Sequence, residues 1–199
     1  MKRIILLAAV AAGSILSLSA QEYRYELGAS ATGNFMKQSN GNGLSHGTDD
    51  GVGVASSFRY WMTGRQGLEV SWSNFSSMNN YYSLADGSAV GSFRNRVNEA
   101  TMSYVHRLPT FSAKIQPFVM AGGGALVITE PAAILATSTI ARPTFSYGGG
   151  IDAYLSRHVG LRLQYKGFVL SDPDQGMSSF HTGAITHLAQ PSGGLFWRF

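Results

Sequence analysis

Ser192-Gly193-Gly194-Leu195-Phe196-Trp197-Arg198-Phe199 is a strand with two unlike sides. In a pleated strand Leu195, Trp197 and Phe199 share one face, and Ser192, Gly194, Phe196 and Arg198 share the other. An aromatic-rich strand left at the edge of a sheet in water invites aggregation. A closed barrel in lipid uses the same strand well. One face meets acyl chains, aromatics sit at the interface, and the edge pairs with the first strand.

The same eight residues resemble the C-terminal signal of bacterial outer-membrane barrels, with a polar residue, a glycine, an aromatic and a terminal aromatic at Ser192, Gly194, Trp197 and Phe199. The resemblance implies that these four positions form a barrel-assembly signal, read by the insertion machinery. A closing strand of a secreted soluble sandwich is the competing reading.

The other end of the chain agrees. Met1-Lys2-Arg3 is basic, the stretch from Ile4 to Leu16 is apolar apart from Gly13 and Ser14, and Leu18-Ser19-Ala20 offers a small residue for cleavage. This reads as a secretory signal peptide over 1–20. The run is short of the roughly 20 residues a spanning helix needs. The remaining 21–199 fits one domain. With no cysteine, an exported chain has no disulfides, and a large core or the bilayer must hold it. Charged residues are 13%, against about 25% in soluble domains. The net charge of +4 becomes +2 when Lys2 and Arg3 leave, and no Lys/Arg cluster remains to suggest nucleic acid.

Between the ends the chain alternates with period two in long segments. Tyr23, Tyr25, Leu27, Ala29, Ala31 and Phe35 oppose Arg24, Glu26, Ser30, Thr32 and Asn34. Gly51 to Met62, Gly67 to Ser77, Ser92 to Leu108, Ile115 to Thr129, Pro143 to Leu155 and Val159 to Leu170 follow as strands, with the closing strand last. Their length suits the 9–11 residues of a transmembrane strand. Polar loops at 37–50, 78–91, 130–142 and 171–184 alternate with short turns at 63–66, 109–114 and 156–158. An even strand number with long and short connections in strict alternation predicts an all-β, eight-stranded antiparallel up-and-down transmembrane β-barrel, its short turns periplasmic. Pro191 departs from this scheme, because proline cannot donate to a ladder. Either a bulge sits there or the fully paired strand starts near Ser192.

Over the mature length the chain resembles the small OmpA-like outer-membrane barrel family, most of all at Gly160 to Phe168, at Pro117 to Val127 and at its ending. The resemblance implies a barrel domain alone, without a peptidoglycan-binding appendage.

If the leucine- and tyrosine-bearing faces meet lipid, then Arg24, Glu26, Arg59, Glu69, Glu99, Asp152, Arg162, Lys166 and Arg198 point inward. Charges in so dry an interior must pair, so these nine are expected as an interior ion-pair network. The histidines show no ligand spacing, and neither a metal nor another cofactor is expected. Ser178-Ser179-Phe180-His181 is the one local serine–histidine cluster; it lies in a loop and does not resemble the strand-borne motif of lipid A deacylases, so no enzyme is expected. Glycine triplets at Gly122–Gly124 and Gly148–Gly150 lack a phosphate-binding context and suit bends or the close approach of large neighbours. Acidic residues in the long loops (Asp49, Asp50, Asp86, Glu130, Asp172, Asp174) suggest divalent cations and lipopolysaccharide phosphates at the outer rim.

The expected function is an envelope barrel of the outer membrane, monomeric, with a structural and surface-interaction role through four external loops. Its partners would be outer-membrane lipids, lipopolysaccharide and, during insertion, the assembly machinery. A narrow passive channel and a secreted soluble lipocalin-like barrel binding a small apolar ligand are the alternatives.

Overall fold

The computed structural model describes residues 23–110, 112–129, 139–171 and 185–199. The signal segment, the serine–histidine cluster, Glu130, Asp172 and Asp174 lie outside these residues. Ten strands follow in order: β1 (Tyr25–Met36), β2 (Ser39–Gly41), β3 (Leu44–Thr48), β4 (Gly51–Trp61), β5 (Gln66–Ser83), β6 (Ala89–Arg107), β7 (Ile115–Thr129), β8 (Thr139–Tyr154), β9 (Val159–Ser171) and β10 (Ile185–Arg198). Eight of them, β1 and β4 to β10, form a closed antiparallel barrel in which β1 pairs with β10 and β5 pairs with β6. Closure leaves no barrel edge, the condition for a sheet in hydrocarbon.

The remaining pair, β2–β3, falls where the sequence suggests only a polar loop. Asn42 (φ 49°) and Gly43 (φ 79°) turn this hairpin, and β3 pairs onto the upper part of β5. Positive φ at both central residues is the demand of a type I′ turn, which an Asn-Gly pair satisfies. The expected second loop, 78–91, is also mostly strand. β5 and β6 stay paired from Gln66↔His106 to Tyr82↔Ala89, and only Leu84 to Ser88 turn. At that tip Asp86 accepts hydrogen bonds from the Ser88 amide (3.1 Å) and hydroxyl (2.8 Å), which hold its carboxyl below the usual range.

At the other end the turns share one device. Thr63 Oγ1 accepts from the amides of Arg65 and Gln66, and Ser156 Oγ accepts from those of His158 and Val159. A hydroxyl at the first turn position caps the loop amides.

The faces separate as the alternation predicts. Leu27, Val70, Trp72, Met102, Phe145, Leu163, Leu195 and Trp197 point outward and are about half exposed. So broad an apolar belt exceeds the few hundred Å² that a soluble monomer presents. Among the described barrel positions on the outward face, the charged residues are Arg94 and Arg96, both on the upper part of β6. A soluble apolar-ligand barrel would have the opposite polarity, greasy within and charged without.

Pro191 fits neither expected form. β10 is one strand from Ile185 to Arg198, and its register against β9 runs unbroken through Pro191↔Tyr165. Against β1 the pairs stop at Thr32↔Ser192 and resume at Phe35↔Ala189 in the same register. The missing donor opens a gap in one ladder without a bulge. Inside the barrel, Gln190 Nε2 donates to Asn34 Oδ1 at 2.9 Å across that gap.

Candidate functional site

Cross-strand register builds the interior charge cluster. Arg198 faces Glu26, Glu26 faces Arg59, and Arg59 faces Glu69 across β10, β1, β4 and β5. Asp152 faces Arg162 across β8 and β9. The two rows meet on the barrel axis. Arg59 donates to Glu69 Oε2 through Nε (3.0 Å) and Nη2 (2.7 Å) and to Asp152 Oδ2 through Nη1 (3.3 Å). Arg162 grips Asp152 with Nε (2.6 Å) and Nη2 (2.9 Å), and reaches Glu26 Oε2 at 2.5 Å. Lys166 Nζ lies 3.4 Å from Glu69 Oε1 and donates to Ser71 Oγ. All six of these charged side chains are buried. Charge-assisted and forked contacts of this kind are the strong ones.

The other three residues expected in the network stand apart. Glu99 is buried but bonds to neutral groups, accepting from Ser73 Oγ (2.7 Å), Gln190 Nε2 (3.0 Å) and Thr101 Oγ1 (3.2 Å). Arg24 precedes β1 and is exposed at the rim. Arg198, half-buried, donates Nε to Arg157 O at 2.5 Å, and its guanidinium lies 4.2 Å from the Tyr154 ring centroid. Neither arginine meets a carboxylate among the described residues.

Arg107 and Trp61 join the cluster without a sequence signal for it. Arg107 sits at the end of β6 and reads as a turn residue, yet its Nη2 donates to Glu26 Oε1 at 3.0 Å. Trp61 Nε1 donates to the same oxygen at 2.7 Å, and the Arg107 guanidinium lies 3.5 Å from the Trp61 ring centroid.

The interior is layered rather than uniformly polar. Trp61, Val105, Phe118 and Met120 form an apolar layer toward the turns. The ionic cluster comes next. Toward the loops, Phe75, Val97, Leu126, Ile128, Phe168, Leu170 and Leu188 fill the bore with a second apolar layer. Glycines make room for these large groups. A Cβ on Gly150 would lie 2.8 Å from the Phe118 ring, and one on Gly167, on the outer wall, 2.8 Å from the Tyr147 ring.

The four positions expected to form an assembly signal divide by face. Trp197 points to lipid, Ser192 and Gly194 lie inward, and the Phe199 ring stacks on Tyr25 at 5.7 Å.

No family model matches the chain, and no curated protein matches it. Solved structures do. Neisserial surface protein A shares 13% identity at a TM-score of 0.64, over 88% of this chain and 97% of that one. The outer membrane protein OprG of Pseudomonas aeruginosa shares 14% at 0.60, over 90% and 97%. Ail, the attachment invasion locus protein of Yersinia pestis, shares 11% at 0.56, over 90% and 100%. The chain has the fold of the small eight-stranded outer-membrane β-barrels.

Proposed function

We propose that this protein is a sealed, non-enzymatic outer-membrane scaffold that presents the β5–β6 and β2–β3 sheet to the outside of the cell. The observation that carries this is the layered interior. An ionic cluster fills the waist and the layer of Phe75, Leu126 and Phe168 closes the bore above it. A bore of eight strands is only wide enough for side chains to fill, so the barrel supports a surface rather than a path. That surface is the projecting hairpin, where Tyr82, Leu84 and Val90 are 42%, 52% and 49% exposed. Exposed apolar side chains grouped at one tip suit contact with another molecule. Ail, a fold neighbour, is by name an attachment invasion protein, which supports a role in surface contact.

The 1–20 segment would direct export, and Ser192, Gly194, Trp197 and Phe199 would be read by the assembly machinery. The monomer would insert among outer-membrane lipids and lipopolysaccharide.

Two measurements test this reading together. Unboiled protein from the outer-membrane fraction runs at a different gel mobility from boiled protein. An epitope inserted after Gly87 is stained on intact cells, whereas one inserted after Gly64 is stained only after permeabilisation. Recovery in the periplasm without detergent, or the reverse staining pattern, overturns it.

A further inference from the structure

At the turn end of the barrel, Tyr23, Arg24, Trp61, Arg107 and Arg198 line an open vestibule of about 440 Å³. Its charges do not balance. Among the described side chains, the barrel interior and this mouth together hold Arg24, Arg59, Arg107, Arg142, Arg162, Lys166 and Arg198 against Glu26, Glu69, Glu99 and Asp152, an excess of three positive charges. Arg142 lies toward the loops, opposite Leu126, and the rest of the excess sits at the mouth, because the carboxylates are committed deeper in. Glu26 is already shared by Arg162, Arg107 and Trp61.

Two of the mouth's arginines are also held in place. Arg198 is pinned through Nε to Arg157 O and lies over the Tyr23 and Tyr154 rings, 4.8 and 4.2 Å from their centroids. Its two terminal nitrogens make no hydrogen bond among the described residues. Arg107 is fixed by Glu26, by Gly64 O (3.2 Å) and by the Trp61 ring. Its Nε is buried and has no hydrogen-bond partner among the described residues. The surrounding turns add Arg65, Lys114 and Arg157 and contain no Asp or Glu. Fixed donors in a concave site of one charge sign focus the potential on a counter-ion.

We infer that this vestibule is a binding site for a small oxyanion, a phosphate or carboxylate group, entering from the periplasmic side. Arg24 and Arg198 supply the uncommitted donors, and Arg107 over Trp61 forms the floor. Forked guanidinium donors match such groups bidentately.

Inorganic phosphate, titrated into the full mature chain in non-ionic detergent, tests the site through the Arg107 Nε–Hε resonance. The expected result is a saturable shift that weakens as salt is added. The Arg24→Gln/Arg198→Gln double variant, shown folded by its unboiled gel mobility, weakens the affinity by about tenfold or more. The outward Arg94→Gln/Arg96→Gln variant leaves it unchanged. Glu22 directly precedes the mouth in sequence, so the titration is repeated with Glu22→Gln to remove an internal competitor. Nanodiscs separate the sources. If phosphatidylglycerol in place of phosphatidylcholine lowers the apparent phosphate affinity, a lipid headgroup occupies the site, and if affinity is unchanged the occupant is a soluble anion. No saturable shift in either the native chain or Glu22→Gln overturns the proposal. So does equal affinity in the Arg24/Arg198 double variant.

Discussion

At the residue scale, Arg59 and Glu99 are both fully buried charges with opposite kinds of partner. Arg59 is the hub for Glu69 and Asp152, with Glu26 3.9 Å away. Replacing it by methionine leaves carboxylates in a dry interior without their cation, and removing one partner of such a pair costs about 3–5 kcal/mol. Glu99 is held by neutral donors. A glutamine there keeps an oxygen for Ser73 and Gln190 and a nitrogen for Thr101, so Glu99→Gln costs only about 1 kcal/mol. Urea unfolding in lipid vesicles should rank Arg59→Met well below Glu99→Gln in stability, and equal losses would contradict this account of the interior. Parity along each strand made the inward direction of these residues legible in the sequence. Partner choice was not legible, because it depends on the stagger between strands. Arg107 lies 81 positions from Glu26, and no local spacing signals that contact.

At the element scale, strand order and the alternation of long and short connections could be read directly, because period two and turn residues are local. Strand ends could not. The sequence from Met78 to Gly91 is rich in Asn, Ser and Gly, and composition marks it as loop, but pairing between β5 and β6 carries it as strand to Tyr82↔Ala89. The upper apolar layer was hidden for a similar reason. On β7 both faces are apolar or glycine, so alternation carries no contrast there. Pro191 gives a prediction at this scale. Its missing amide leaves the β1 ladder open between Thr32↔Ser192 and Phe35↔Ala189. Pro191→Ala supplies the donor, and the variant should unfold later by about 1 kcal/mol, with slowed hydrogen exchange at Gly33 and Asn34. Faster exchange there would show that the proline, rather than the gap, sets the local order.

For the whole molecule, the layered bore predicts electrical silence. Native protein in planar bilayers should show no steady conductance. Cutting Phe75, Leu126 and Phe168 to alanine removes most of the upper layer and should admit flickering currents, since the ionic layer beneath is wettable. Steady current through the native chain would reverse the assignment of scaffold over channel. The tall hairpin has a separate consequence. On the outer face of β5 the apolar run ends at Trp72, and Asn74 begins the polar part. A belt about 25 Å tall takes about ten residues of β5, at about 3.3 Å each and tilted about 40°, since Val54 and Val52 of β4 continue it beside Asn74 and Ser76. The six residues from Met78 to Ser83 lift the tip roughly 15 Å above the acyl chains. A large partner could therefore grasp Tyr82 and Leu84 from the side without touching the hydrocarbon around the barrel's base.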